Sequence, residues 1–230
     1  MMRDMLVEST FFGVMLSLGA YGVGLIVKKR FRYTILNPLL IAIVITMLVL
    51  VGFNIDYEVY NEGAKYLSYL LTPATVCLAI PLYEQLTLLK NNWKAILLGV
   101  MSGVLTSLIS VWILSYVWKL EHAEYVTLLP KSITTAIGMG VSEELGGYVT
   151  ITVAVIIITG LFGNMIAEGV CKLFRIEDPI AKGVAIGSSA HAMGTTKAME
   201  MGQIEGAMSS LSIAVAGLMT VVGASIFAHL

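Results

Sequence analysis

Between Lys94 and Lys119 the chain runs "AILLGVMSGVLTSLISVWILSYVW" without one charged side chain. A helix needs about 20 residues to cross the roughly 30 Å hydrocarbon layer of a bilayer. Trp93, Trp112, Tyr116 and Trp118 stand near the ends of this run, where an interfacial aromatic belt belongs. The run therefore predicts a membrane-spanning helix. Composition agrees: 57% of the 230 residues are apolar and 13% charged, with a mean hydropathy of +0.87. A soluble domain usually carries about 25% charged residues, so lipid is the main solvent here.

Four more segments have the same character: Leu6–Val27, Leu36–Phe53, Val149–Leu173 and Ile204–Ala228. Short loops leave no room for a separate soluble domain, which predicts one integral membrane domain over residues 1–230. The net charge of −1 excludes a nucleic-acid binder, which needs a basic stripe. The opening "MMRDMLVE" has no small-residue cleavage site and reads as the start of a retained span. Cys77 and Cys171 lie in apolar surroundings and read as packing residues.

Charge between the spans orients the chain. "KKRFR" at 28–32 and "KNNWK" at 90–94 are basic and predict cytoplasmic loops. "NIDYEVYNEGAK" at 54–65 is acidic and reads as external, as does the mixed "KLEHAEY" at 119–125. The N-terminus then faces outward from the cell membrane.

Three segments do not read as simple spans. "LLTPATVCLAIPLYEQL" at 70–86 holds two prolines within an apolar run. "LLPKSITTAIGMGVSEELGG" at 128–147 and "GVAIGSSAHAMGTTKAME" at 183–200 mix hydroxyls and glycines between apolar spans. Proline removes a helical hydrogen bond, and freed backbone groups in lipid must be buried in protein or line a wet cavity. An internal echo supports a common purpose. A shift of 59 residues places Thr75 on Thr134, Glu84 on Glu143, Gln85 on Glu144 and Leu86 on Leu145, and a long apolar span follows each copy. Interrupted helices at matching places are the pattern of secondary transporters built from repeats.

The second and third of these segments, in this order and spacing, resemble the two signature stretches of the LrgB/CidB family of bacterial membrane proteins. The resemblance covers nearly the whole chain from the second span onward. The chain departs from the commonest pattern at Ala136, where many relatives carry proline after the threonine pair. The resemblance implies a small four-span partner of the LrgA/CidA type. It also implies one of two roles: a holin- or antiholin-like modulator of murein hydrolase activity, or a carrier of small monocarboxylates. Glycolate and glycerate are the cargo of the plant plastid relatives, and pyruvate is a proposed cargo of bacterial ones.

The residues themselves point to an anion site. Helix starts attract anions through unpaired N–H groups and the helix dipole. A helix beginning near Gly194 or Thr195 aims such groups at the break, beside the hydroxyls of Ser188, Ser189, Thr195 and Thr196. Lys131, Ser132, Thr134 and Thr135 present the same set in the other segment. Two such ends facing each other at mid-membrane make a carboxylate site, with Lys131 or Lys197 adding charge. The alternative is that each hydroxyl bonds back to its own helix and eases close packing. His191, alone in an apolar region, is a candidate proton carrier. Glu143 and Glu144 are either coupling carboxylates or markers of an aqueous end. Asp178 before Pro179 reads as an N-cap.

An intramembrane hydrolase is excluded. Ser188 or Ser189 lies only two or three residues from His191, too close along a helix for attack geometry, and no GxSxG elbow occurs. No histidine, cysteine and carboxylate set has metal-ligand spacing, and no phosphate-binding GxxxxGK[ST] loop is present. The expectation is an all-α, polytopic membrane protein with five full spans and three broken or re-entrant segments, without cofactor, metal or enzymatic activity. It moves a small organic anion by alternating access. Its GxxxG spacings, Gly99–Gly103 and Gly202–Gly206, predict self-association in the membrane. The holin/antiholin-like modulator is the alternative.

Overall fold

The computed structural model describes residues 9, 11–31, 36–77 and 79–230. These are helical throughout, with no strand among the described residues, and they divide into two compact units, Met1–Cys77 and Leu78–Leu230. Helices α1 (Phe12–Phe31), α2 (Pro38–Gly52), α3 (Tyr57–Ser68) and α4 (Leu71–Cys77) form the first. Gly13 brings α1 against α3, since a Cβ there would strike the backbone at Tyr60 and Ala64. Ser17 Oγ lies 2.8 Å from the Tyr60 hydroxyl across the same contact. Lys28, Lys29 and Arg30 fill the last turn of α1, where cations complement the helix dipole.

The start of α2 is written in its sequence. Asn37 Oδ1 accepts from the Leu39 N–H at 2.8 Å, and Pro38 takes the first helical position, where no N–H is needed. With 15 residues, α2 reaches only about 22 Å. The expected full span over Leu36–Phe53 therefore falls short of the hydrocarbon thickness. Residues 6–8 and 10 of the first expected span lie outside the described residues.

The second unit holds α5 (Ala79–Glu84), α6 (Leu86–Trp118), α7 (His122–Leu128), α8 (Thr135–Glu144), α9 (Val149–Leu173), α10 (Pro179–Met201) and α11 (Gln203–Phe227). Together with α1, helices α6, α9 and α11 are long and apolar enough to cross a membrane. Trp93 and Trp118 are exposed and lie about 38 Å apart along α6, spanning from one interface to the other. The 59-residue echo is visible here. In each copy a short helix ends on the glutamate, Glu84 in α5 and Glu143–Glu144 in α8, and a long apolar helix follows.

Two re-entrant hairpins stand beside these long helices. In the first, α7 stops at Leu128, the chain turns through 129–134, and α8 returns. Its base is tied by hydroxyls: Thr152 Oγ1 donates to the Thr127 carbonyl (3.0 Å) and lies 2.7 Å from Ser142 Oγ, while Thr127 Oγ1 accepts from the Tyr148 N–H at 2.7 Å. Leu129, Pro130 and Ile133 are fully buried, so the broken backbone is sheltered by protein.

The second hairpin is α10 itself. Asp178 caps it as expected, accepting from the Ala181 N–H at 2.8 Å, and the helix breaks at His191 (φ 43°, ψ −140°). Beyond the break the chain folds back. Gly194 lies against Ile186, eight residues earlier, which along a straight helix would be about 12 Å away. Ile186 also packs with Ala198.

The two hairpins enter from opposite ends of α9. The base of the first meets Tyr148 and Thr152 at the start of α9, whereas Lys197 of the second pairs with Glu168 near its end. Both tips reach the middle of the long helices: Lys131 and Ser132 meet Ser107 of α6, and His191 meets Ile156 of α9.

Candidate functional site

At the first tip, Lys131 Nζ donates to Ser107 Oγ at 3.0 Å and to Ser132 Oγ at 3.1 Å. The two hydroxyls are 3.2 Å apart. No carboxylate pairs with Lys131 among the described residues. A half-buried lysine held by hydroxyls, with no carboxylate beside it among the described residues, is a costly group within a membrane bundle, and such groups mark binding pathways.

At the second tip, His191 is buried with Nε2 3.0 Å from the Ile156 carbonyl. Gly160 makes room for the ring, since a Cβ there would press on it. Polar side chains meet the backbone around the break. Thr195 Oγ1 donates to the His191 carbonyl at 3.0 Å, and Asn164 Nδ2 to the Met193 carbonyl at 2.7 Å. The break lies three or four residues before the expected helix start at Gly194 or Thr195.

A cavity of about 730 Å³ between α6, α9 and α10 joins the two tips. Of the ten expected site residues, Lys131, Ser132, Ser188 and Ser189 line it. Ser188 and Ser189 donate back to the carbonyls of Val184 (2.8 Å) and Ala185 (2.7 Å), which leaves their oxygens as acceptors. The packing alternative thus describes their protons, while the cavity takes their lone pairs.

Thr134, Thr135, Gly194, Thr195 and Thr196 do not line it, and neither does His191. Thr195 is fully buried and faces α11, with Ser209 Oγ 2.7 Å away. This hydroxyl pair ties α10 to α11. Thr196 donates to the Met193 carbonyl and accepts from Asn164 at 3.0 Å. Lys197 is paired with Glu168 at 3.0 Å and Glu200 at 3.3 Å, which leaves Lys131 as the cation of the cavity. Glu143 and Glu144 are exposed at the end of α8. Cys171 is buried as a packing residue would be, whereas Cys77 is exposed.

Sequence reasoning missed the wall contributed by α6. Ser102, Gly103, Thr106, Ser107 and Ser110 line the cavity along one helical face. The signal was the spacing of small residues, taken for a helix–helix contact between copies. Gly99 and Gly103 instead face Val184 and Ser188 of the same chain. Gly202 and Gly206 likewise face Glu205 and Met199. Asn164 and Glu168 also went unremarked, because their bonds to Met193 and Lys197 form only once α10 folds back.

The LrgB-like family model matches residues 17–230. The chain belongs to this family. Antiholin-like protein LrgB of Bacillus mycoides (strain KBAB4) is 38% identical over 213 residues, covering 92% of this chain and 93% of the relative. The proteins of the same name from Bacillus cereus strains B4264 and AH187 match to the same extent. No solved structure matches the chain significantly. The family and the four apolar helices make this a multi-pass, all-α membrane protein.

Proposed function

We propose that this LrgB-like protein is an antiholin-like modulator of lysis whose working part is a selective small-anion site, not an open pore. The antiholin-like role rests on 38% identity across 92% of the chain with relatives of that name. The anion site rests on one observation: Lys131, without a carboxylate partner among the described residues, lines the cavity between the two hairpins. Re-entrant hairpins whose half-helices point into the bundle are how secondary transporters present charge to a solute at mid-membrane. A small monocarboxylate neutralises one ammonium, and hydroxyl oxygens along α6 and α10 accept from its own hydroxyl or from water. His191, buried beside the cavity with its ring on the Ile156 carbonyl, is the proton carrier of the cycle in this reading. Thr195 and Thr196 hold the second break in shape through the His191 and Met193 carbonyls, whereas Thr134 caps α8 without a side-chain bond.

Self-association and assembly with a small LrgA/CidA-like membrane protein belong to the same proposal, as does residence in the cytoplasmic membrane. Two experiments test it. Expression in a host lacking its own antiholin-like protein should slow detergent-triggered autolysis, and an unchanged lysis curve contradicts the modulator role. Titration of glycolate, glycerate and pyruvate into protein in nanodiscs should give saturable binding that Lys131→Gln weakens roughly ten- to hundred-fold. An affinity unchanged by this substitution contradicts the site.

A further inference from the structure

A second cavity, of about 530 Å³, opens beside the first at the end of α9 and the base of the α10 hairpin. Its walls are charged, unlike the largely apolar wall that α9 gives the inner cavity. Cys171 and Ile176 line both, so the charged cleft and the chamber of Lys131 adjoin at these two residues. Other approaches to that chamber are unsuited to a charged solute. Its remaining rim carries Ile158 and Phe162, exposed apolar residues of a membrane-spanning helix. At the opposite end of α9, the base of the first hairpin is sealed by the Thr127–Ser142–Thr152 hydroxyl cluster, buried throughout.

Within the cleft four carboxylates, Glu177 and Glu205 among them, face four cations, Arg175 included, and the lysines differ in what they can do. Lys172 is held by Glu168 at 2.8 Å, and Lys197 is held by Glu168 and Glu200. Lys182 is half-buried and has no carboxylate partner among the described residues. It lines the cleft together with Cys171 and Ile176. Two lysines without ion pairs, Lys182 in the cleft and Lys131 in the chamber, therefore stand on either side of the Cys171–Ile176 neck.

We propose that the charged cleft is the entrance to the Lys131 chamber, that a small anion passes between Cys171 and Ile176, and that Lys182 is the cation that draws it in. This rests on the small-anion reading above, but the route has a test of its own. Cys77→Ser leaves Cys171 as the only thiol. The protein in nanodiscs is treated with the anionic reagent 2-sulfonatoethyl methanethiosulfonate and with its neutral methyl counterpart. In each case the Cys171 sulfur forms a mixed disulfide and methanesulfinate leaves.

The anionic reagent cannot arrive through lipid, so reaction in the folded protein places Cys171 on an aqueous path. Lys182→Gln should slow the anionic reagent severalfold and leave the neutral one unchanged. Ile176→Ala, which widens the neck, should speed both. Reaction of Cys171 only after denaturation in dodecyl sulfate overturns the route, and equal slowing of both reagents by Lys182→Gln overturns the role of that lysine. Intact labelling in a protein that binds no monocarboxylate instead leaves the route standing and removes the small-anion reading.

Discussion

Lys131 carries the strongest demand of any single side chain in the second unit, because two neutral hydroxyls do not balance an ammonium taken out of water. A hydrogen bond to a charged group contributes about 1.5–3 kcal/mol, so Lys131→Gln should weaken monocarboxylate binding roughly ten- to hundred-fold. Titration calorimetry in nanodiscs reads this directly, with Lys90→Gln, exposed and outside both cavities, as the unaffected control. Thr195 calls for the opposite outcome. Its hydroxyl is spent on the His191 carbonyl and on Ser209, away from the cavity. Thr195→Val should therefore lower thermal stability, by about 1–3 kcal/mol for stranding Ser209, and leave affinity unchanged. Residues in one hydrogen-bond pair do not act additively. The double variant with Ser209→Ala should melt well above the temperature that the sum of the two single losses implies.

Among the helices, the folded-back α10 decides the architecture, and its glycines make a sharp test. A Cβ at Gly187 would collide with the backbone of Ser209, whereas one at Gly169 meets open space. Gly187→Ala should cost about 1–3 kcal/mol by overpacking, while Gly169→Ala should be neutral or stabilise by up to about 1 kcal/mol. Equal melting temperatures for the two variants contradict the packing of α10 on α11. How much of this element was legible before folding is clear from its ends and its middle. Asp178–Pro179 announces the start, because an N-cap acts through its own backbone. The cluster of hydroxyls and glycines marks the segment as broken, because such residues are poor in an uninterrupted apolar span. The break itself is at His191, a residue with positive φ and no local preference for it. That conformation is held by tertiary contacts, Ile156 on the ring and Gly160 beneath it, which no local pattern encodes. The serine stripe of α6 was hidden for a related reason: small residues at helical spacing look the same whether they face another copy or a cavity.

At the scale of the whole molecule, the hairpins extend the charge-based orientation. If 119–125 is external, as its charge predicts, the first hairpin would enter from outside and α9 would run inward, bringing Lys172, Arg175 and nearby Lys182 to the cytoplasmic side. Single cysteines in a variant lacking Cys77 and Cys171 should react with an impermeant maleimide on intact cells at 54–65 and 119–125, and not at 28–32, 90–94 or 175–178. Labelling at 175–178 reverses the direction of α9. Native mass spectrometry in mild detergent should show self-association and capture of a co-expressed LrgA-like partner, and a lone monomer under all conditions contradicts both. The central claim is that this antiholin-like chain passes a chosen anion through the Lys131 chamber and does not open a general leak. Proteoliposomes loaded with carboxyfluorescein and supplied with radiolabelled pyruvate, glycolate or glycerate measure both at once. The account predicts saturable uptake of at least one of these acids, retained dye, and uptake abolished by Lys131→Gln. Dye loss that parallels uptake, or uptake indifferent to Lys131→Gln, would contradict it.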